Sequence, residues 1–296
     1  MSISATAPWV KYYGDTPAHL DYPRVTMYEM LAKAAAAYPG NTAYIFQGKK
    51  TSFADFMQRI DATAKGLYHL GIRKGDRVTI CMANTPQAVD CFYALNRIGA
   101  IPNMIHPLSA ANEIAFYLNV SHSKAILTLA QFYDKVASIQ DKLEQPTQIL
   151  IARIADELPM PLTSGGKADK KPAGNGYMLW TDMVAAGKDT VLPKQDGKFD
   201  DCGAILYSGG TTGTTKGIML SNLNFNALGL QTIAASGFGS VAGMKMLSIM
   251  PVFHGFGLGI GIHTALIGGA TCILVPQFSV KIYADVLKKQ KPKLIP

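Results

Sequence analysis

A chain of 296 residues, 48% apolar and 16% charged, can bury a sizeable core and does not have the composition of a disordered chain. At this length, one large or two smaller domains are expected. The net charge of +8, from 28 basic against 20 acidic residues, favours anionic ligands, while the scatter of the basic residues argues against nucleic acid. The densest basic group, Lys288, Lys289, Lys291 and Lys293, reads as a solvated helix end. Cys81, Cys91, Cys202 and Cys272 form no CxxC pair and sit beside apolar residues, so they read as small buried hydrophobes in a reducing compartment. The N-terminus has no apolar core behind a basic start and so does not read as a signal peptide, and a cytoplasmic location is expected.

In chain order, Thr26 to Glu29 form a capping-box pattern that opens a helix reaching about Tyr38. "AYIFQ" and "KKTSF" flank Gly48 as a hairpin. Ser52 and Asp55 start a second helix, with Phe56, Ile60, Ala64, Leu67 and Leu70 at helical spacing and Gly71 as its stop. From Arg77 strands and helices alternate: strand "RVTICM", a helix from Pro86 to Ile98, strand "AIPNMI", a helix over Ala111–Asn119, strand "KAILTL", a helix over Phe132–Leu143 and strand "TQILIA". Glu157 to Tyr177 is rich in proline, glycine and lysine and reads as a surface excursion.

A second alternating run follows: strand "AILYS", a polar loop, strand "GIMLS", a helix over Asn222–Ala235, strand "MLSIM", a glycine-rich helix, strand "TCILV" and a helix over Ser279–Gln290. Gly255 to Val275 is long enough to span a bilayer, but its glycine density and strand-like end predict a buried helix followed by a buried strand, with no transmembrane span. The pattern predicts an α/β fold of two successive doubly wound, mainly parallel sheet regions with helices on both faces. The expected divisions are an N-terminal part, 1–76, whose hairpin packs on the second sheet region, a first α/β subdomain, 77–200, and an incomplete second one, 201–296. The closing "KPKLIP" resembles the start of another buried strand, so the sequence reads as cut rather than finished.

The loop "YSGGTTGTTKGIML", Tyr207 to Leu220, is the most informative stretch. Ser208, Thr211, Thr212, Thr214 and Thr215 offer hydroxyl donors. Gly209, Gly210, Gly213 and Gly217 let backbone N–H groups approach a ligand, and Lys216 adds a mobile positive charge. Together they suit a polyphosphate, which needs many donors and charge neutralisation at once. A Walker P-loop is excluded, since Thr215 stands where that pattern requires glycine before the lysine. The alternative is a flexible hairpin tip.

This stretch resembles the phosphate-binding signature of the adenylate-forming superfamily, which includes acyl-CoA synthetases, aryl-CoA ligases, luciferase-like enzymes and adenylation domains. Tyr207, Ser208, Gly210, Thr211, Thr212, Gly213, Lys216 and Gly217 match it. Gly209 and Thr215 depart from it, at places where Ser or Thr and Pro are usual. "KTSFADF", the segment from "LNRIGAIPNMIHPLSAANEI" to "SHSKAIL", and "MPVFHGFGL" resemble further family segments in the right order. The last is similar to the Pro-Leu-Phe-His-x-x-Gly segment of acyl- and aryl-CoA ligases.

The resemblance implies an acid–CoA ligase: a carboxylic acid and ATP give acyl-AMP and pyrophosphate, and the acyl group then passes to coenzyme A. It implies ATP, Mg2+ and coenzyme A as cofactors and a carboxylic acid, expected to be a medium- or long-chain fatty acid, as substrate. Ser208, Gly209, Gly210, Thr211 and Thr212 with Lys216 would grip the β- and γ-phosphates, Gly213 and Thr214 would complete the cofactor-binding loop, and Ser208 would also touch the metal. His254 would shape or gate the junction of acyl chain and nucleotide; the alternative is a core histidine between Phe253 and Phe256. "PVFHGFG" lacks the aspartate of amino-acid-selecting relatives. The glycine-rich helix would suit a tunnel wall, or plain packing. His106 and His122 read as loop or surface residues without a role.

The family's Tyr-Gly-x-Thr-Glu and Thr-Gly-Asp segments, and its small C-terminal domain with a catalytic lysine, have no counterpart in the sequence. The expectation is a chain inactive, or nearly so, on its own. A non-catalytic nucleotide- or anion-binding fragment of the same fold and an interaction module are the competing readings.

Overall fold

The computed structural model describes residues 7–158, 170–208 and 215–296. Helix α1 (Met27–Ala37) opens with the capping box read from the sequence: the Thr26 N–H donates to Glu29 Oε2 at 2.8 Å and the Glu29 N–H to Thr26 Oγ1 at 3.2 Å. Strands β1 (Thr42–Phe46) and β2 (Lys49–Ser52) form the hairpin, and α2 (Phe53–His69) follows, capped by Ser52. Then come β3 (Arg77–Cys81), α3 (Pro86–Arg97), β4 (Ile101–Met104), α4 (Ala111–Ser121), β5 (Ser123–Leu129), α5 (Tyr133–Ala137) and β6 (Gln148–Ala152). The remaining elements are β7 (Met178–Leu179), α6 (Trp180–Ala186), β8 (Cys202–Ser208), β9 (Lys216–Ser221), α7 (Asn222–Ala235), β10 (Lys245–Ser248), a π-helix (Gly257–Thr264) that runs into α8 (Ala265–Ile267), β11 (Thr271–Leu274) and α9 (Val280–Gln290).

Two mainly parallel sheets result. One has the order β7-β6-β5-β3-β4-β8-β9, with only β9 antiparallel, and the other β10-β11-β1-β2, with only β2 antiparallel. Side chains alternate between faces, as the pleat requires. Val78 and Ile80 of β3, Tyr44 and Phe46 of β1, and Cys272 and Leu274 of β11 join one large core with α2, α3 and the π-helix, which lie between the sheets. Cys81, Ile126 and Ile151 face a second core under α4 and α5, and Ile45, Leu247 and Ile273 face a third under α9. Both sheets are therefore covered on both faces, which explains why their strands read as continuous apolar runs.

β8 and β9, from the 201–296 segment, extend the sheet of β3, and the early β1–β2 hairpin pairs through β1 with β11. The helix expected over Phe132–Leu143 is broken into a 3-10 turn at Ala130–Phe132, α5, and a second 3-10 turn at Gln140–Lys142. Asn119 takes over the backbone there, donating to Lys142 O and accepting from the Glu144 N–H, at 3.1 and 3.0 Å. The sequence reading missed β7 and α6. Most of the excursion expected over 157–177 lies outside the described residues, although Glu157 at its start is buried. Among the described residues no helix is long and apolar enough to cross a membrane, and the four cysteines are free.

Candidate active site

In the larger sheet β3 is central, with β5 on one side and β4 on the other, so the connections after β3 and β4 diverge and leave a crevice beyond the carboxyl ends of the strands. The turns after β10 and β11 close it from the second sheet. The resulting cavity, of about 820 Å3, is lined among others by Asn84, His106, Leu129, Phe132, Pro251 and Phe253. Asn84, 2% exposed, staples the two sheets together at its floor. Its Nδ2 donates to Ser248 O and Met250 O, each at 2.9 Å, and its Oδ1 accepts from the Val252 N–H at 2.7 Å.

That staple sets the turn carrying His254. Beyond it Phe253 lies on the His106 ring, with centroids 4.3 Å apart. His254 itself is exposed, not packed in the core. Its backbone N–H donates to Pro251 O, its carbonyl accepts from the Leu258 N–H, and its Nδ1 accepts from the Phe256 N–H at 3.2 Å, which leaves Nε2 open. The glycine three residues later is required by packing. A Cβ on Gly257 would lie 2.1 Å from Pro251 O, so only glycine lets the helix start against the turn. At Gly259 the missing side chain is replaced by Leu228 of α7, so packed protein fills the space where a tunnel wall was one expectation. Gly255, the residue after His254, lies against Leu206 of β8, which brings the His254 turn beside the strand leading into the polar loop.

Of the loop residues, Gly209, Gly210, Thr211, Thr212, Gly213 and Thr214 lie outside the described residues. Its two rims are described. β8 and β9 are antiparallel, in a register that pairs Tyr207 with Gly217 and Ser208 with Lys216. The hydroxyl of Ser208 and the ammonium-bearing Lys216, which is exposed, thus flank the loop mouth at the carboxyl end of β8. Tyr207 anchors this end: its ring lies 4.3 Å from Tyr117, and burial pushes its pKa up to about 12. Gly217 leaves room for that ring, since a Cβ there would sit 3.3 Å from Tyr207 Cε1. An alcohol and an ammonium carried by paired residues are a donor set suited to phosphate oxygens. At the loop mouth the described Ser208 and Thr215 carry hydroxyls, and no group of three or more His, Cys, Asp or Glu among the described residues could hold a metal ion.

Comparison with known proteins decides the family. The model of the family described as AMP-binding enzyme matches residues 31–296. The chain belongs to the AMP-binding enzyme family. A long-chain-fatty-acid–CoA ligase of Bacillus subtilis (strain 168) is 32% identical over 305 residues, covering 99% of this chain and 54% of that protein. A crotonobetaine/carnitine–CoA ligase of Salmonella heidelberg (strain SL476) is 28% identical over 266 residues, covering 88% of this chain and 48% of that one. The chain therefore spans about half the length of these AMP-binding relatives. A crystal structure of a long-chain-fatty-acid CoA ligase from Rhodopseudomonas palustris CGA009, so described provisionally, superposes with a TM-score of 0.77 at 20% identity. It covers 92% of this chain and 63% of that one, and shows that the AMP-binding fold is shared.

The sequence reading did not find Asn84, the stacked pair His106–Phe253 or the buried His263. Only Asn84 had a nearby signal, the Asn-Thr-Pro start of α3.

Proposed function

We propose that the whole protein is an ATP-dependent acid–CoA ligase acting on a medium- or long-chain fatty acid. The observation that carries the reading is the register that sets Ser208 opposite Lys216 across a loop of glycines and hydroxyls. ATP would supply an activated phosphoryl centre. The acid's carboxylate oxygen forms a bond to the α-phosphorus as the bond to pyrophosphate breaks, and the thiol of coenzyme A then displaces AMP from the acyl carbon. Ser208 and Lys216, with the loop between them, would hold the β- and γ-phosphates, placing donors and positive charge where the departing pyrophosphate gathers charge. Ser208 is the proposed contact for Mg2+. His254, exposed beside the crevice with Nε2 open, would border the junction of acid and nucleotide. The apolar crevice walls and the 32% identical fatty-acid ligase support an apolar acid.

The 296-residue chain by itself is proposed to bind phosphate without turnover. Lys216→Ala is expected to weaken tripolyphosphate binding to this chain about tenfold or more by calorimetry, the scale of one charge-assisted contact. Unchanged binding would remove the basis of the reading. Carboxylate-dependent ATP–pyrophosphate exchange by the chain alone would refute its inactivity.

A further inference from the structure

His106 stands in the loop after β4, at a wall of the crevice, and its exposed ring is held at two points. The Leu108 N–H donates to Nδ1 at 2.9 Å, and the ring lies tilted by 34° on Phe253. Lys135 fixes the loop beneath, donating to Pro107 O at 3.3 Å and Ser109 O at 2.9 Å. A neutral imidazole that accepts at Nδ1 carries its proton on Nε2. Partial burial, and after it the charge of Lys135, hold the pKa below the usual 6.5, so the neutral ring prevails at neutral pH.

Among the described residues Nε2–H has no hydrogen-bond partner. No Asp, Glu, Lys or Arg side chain among the described residues lines the crevice, whose walls include Leu129, Phe132, Ile249, Val275 and Phe278. The Lys135 charge that reaches the ring lies beneath the loop, engaged by Pro107 O and Ser109 O, and the unpartnered Nε2–H is a neutral donor suited to a carbonyl oxygen.

We propose that His106 is a ligand-binding residue whose Nε2–H donates to a neutral carbonyl oxygen, of the amide or thioester kind, on a molecule whose apolar stem lies in the crevice. The stack and the Leu108 contact orient the donor in advance, so little side-chain freedom is lost on binding. The inference rests on the crevice being part of the ligase site, but not on the phosphate contacts assigned to Lys216.

The test uses the 296-residue chain with 15N-labelled histidine rings and N-octylacetamide as probe at neutral pH. One ring Nε2 resonance, absent from His106→Gln, is expected to shift on titration. His106→Phe keeps an aromatic ring against Phe253 but loses the donor, and should bind the probe about tenfold more weakly by calorimetry, with His106→Gln in between. Equal affinity of wild type and His106→Phe, an unmoved Nε2 resonance at saturation, or absence of amide binding would each overturn the proposal. Urea unfolding of both variants checks their folding, and the Gln variant carries the comparison if the Phe variant unfolds. Tripolyphosphate binding on the same samples separates failure here from failure of the nucleotide reading.

Discussion

His263 shows how much a single residue can depend on distant partners. It is fully buried in the π-helix, where Nδ1 accepts from the Tyr93 hydroxyl at 2.9 Å and Nε2 donates to Asn226 Oδ1 at 3.0 Å. Burial pushes its pKa from 6.5 down to about 3. Below pH 6.5 the unfolded chain takes up a proton at this residue while the folded chain does not. Its contribution to stability is therefore complete above pH 6.5 and is lost toward pH 3, at up to about 1.4 kcal/mol per pH unit. Asp90 runs the other way. Burial outweighs the attraction of Arg59 and raises its pKa from 3.8 to about 6, so its contribution is complete below 3.8 and lost as pH rises through 6. Between those values the two slopes oppose each other. His263→Gln is expected to leave the Asp90 slope unopposed, so its urea midpoint, relative to wild type, should rise between about pH 6 and about pH 4.5. Parallel pH profiles for the two proteins would show that His263 titrates as an ordinary histidine. The sequence drew attention to His254 through its neighbours, but it held no local sign of a partnership between His263 and Tyr93, 170 residues apart.

At the scale of elements, the local signals served well wherever an element carries its own instructions. The capping box at Thr26, Ser52 before α2 and Pro86 at the start of α3 are all in place. They failed over Phe132–Leu143, where apolar spacing suggested one helix and Asn119, on another element, holds the backbone instead. The turn from Ser248 to Val252 is a similar case: its geometry comes from Asn84 rather than from its own residues. Asn84→Ala removes three hydrogen bonds from this turn and leaves buried backbone groups unpaired. A loss of about 2–4 kcal/mol is expected in urea unfolding. Amide exchange should also quicken over residues 248–258 more than in α2. A uniform change along the chain would mean that Asn84 supports the whole fold and not this turn.

At the scale of the whole molecule, the joint between the sheets includes a buried ionic cluster. Arg59 of α2 donates through Nε to Asp90 Oδ2 at 2.8 Å and through one terminal nitrogen to Glu157 Oε1 at 2.6 Å. The Tyr44 hydroxyl of β1 donates to Asp90 Oδ1 at 3.4 Å. The cluster thus ties a strand of the smaller sheet to the segment after β6 of the larger one. Arg59→Met leaves buried Asp90 without its counter-charge and buried Glu157 with only the more exposed Lys49 at 4.0 Å, and is expected to cost about 3–5 kcal/mol. Adding Asp90→Leu should recover part of that loss, because the uncompensated charge is gone. A double variant no more stable than the single one would show that the pair does not act as a unit.

By itself the sequence determined what depends on neighbours along the chain: the alternation of apolar strands and capped helices, the α/β class, and the glycine- and hydroxyl-rich loop with its lysine. These are short-range properties, set by side-chain periodicity, backbone capping and local conformational freedom. Only the tertiary structure decided which strands share a sheet, with β1 beside β11 and β8 beside β4. It alone placed Asn84, His106 and Phe253 around one crevice. Strand order and side-chain encounters across the core are fixed by burying apolar faces from distant segments together, and no pattern within a short window of sequence records which segments will meet.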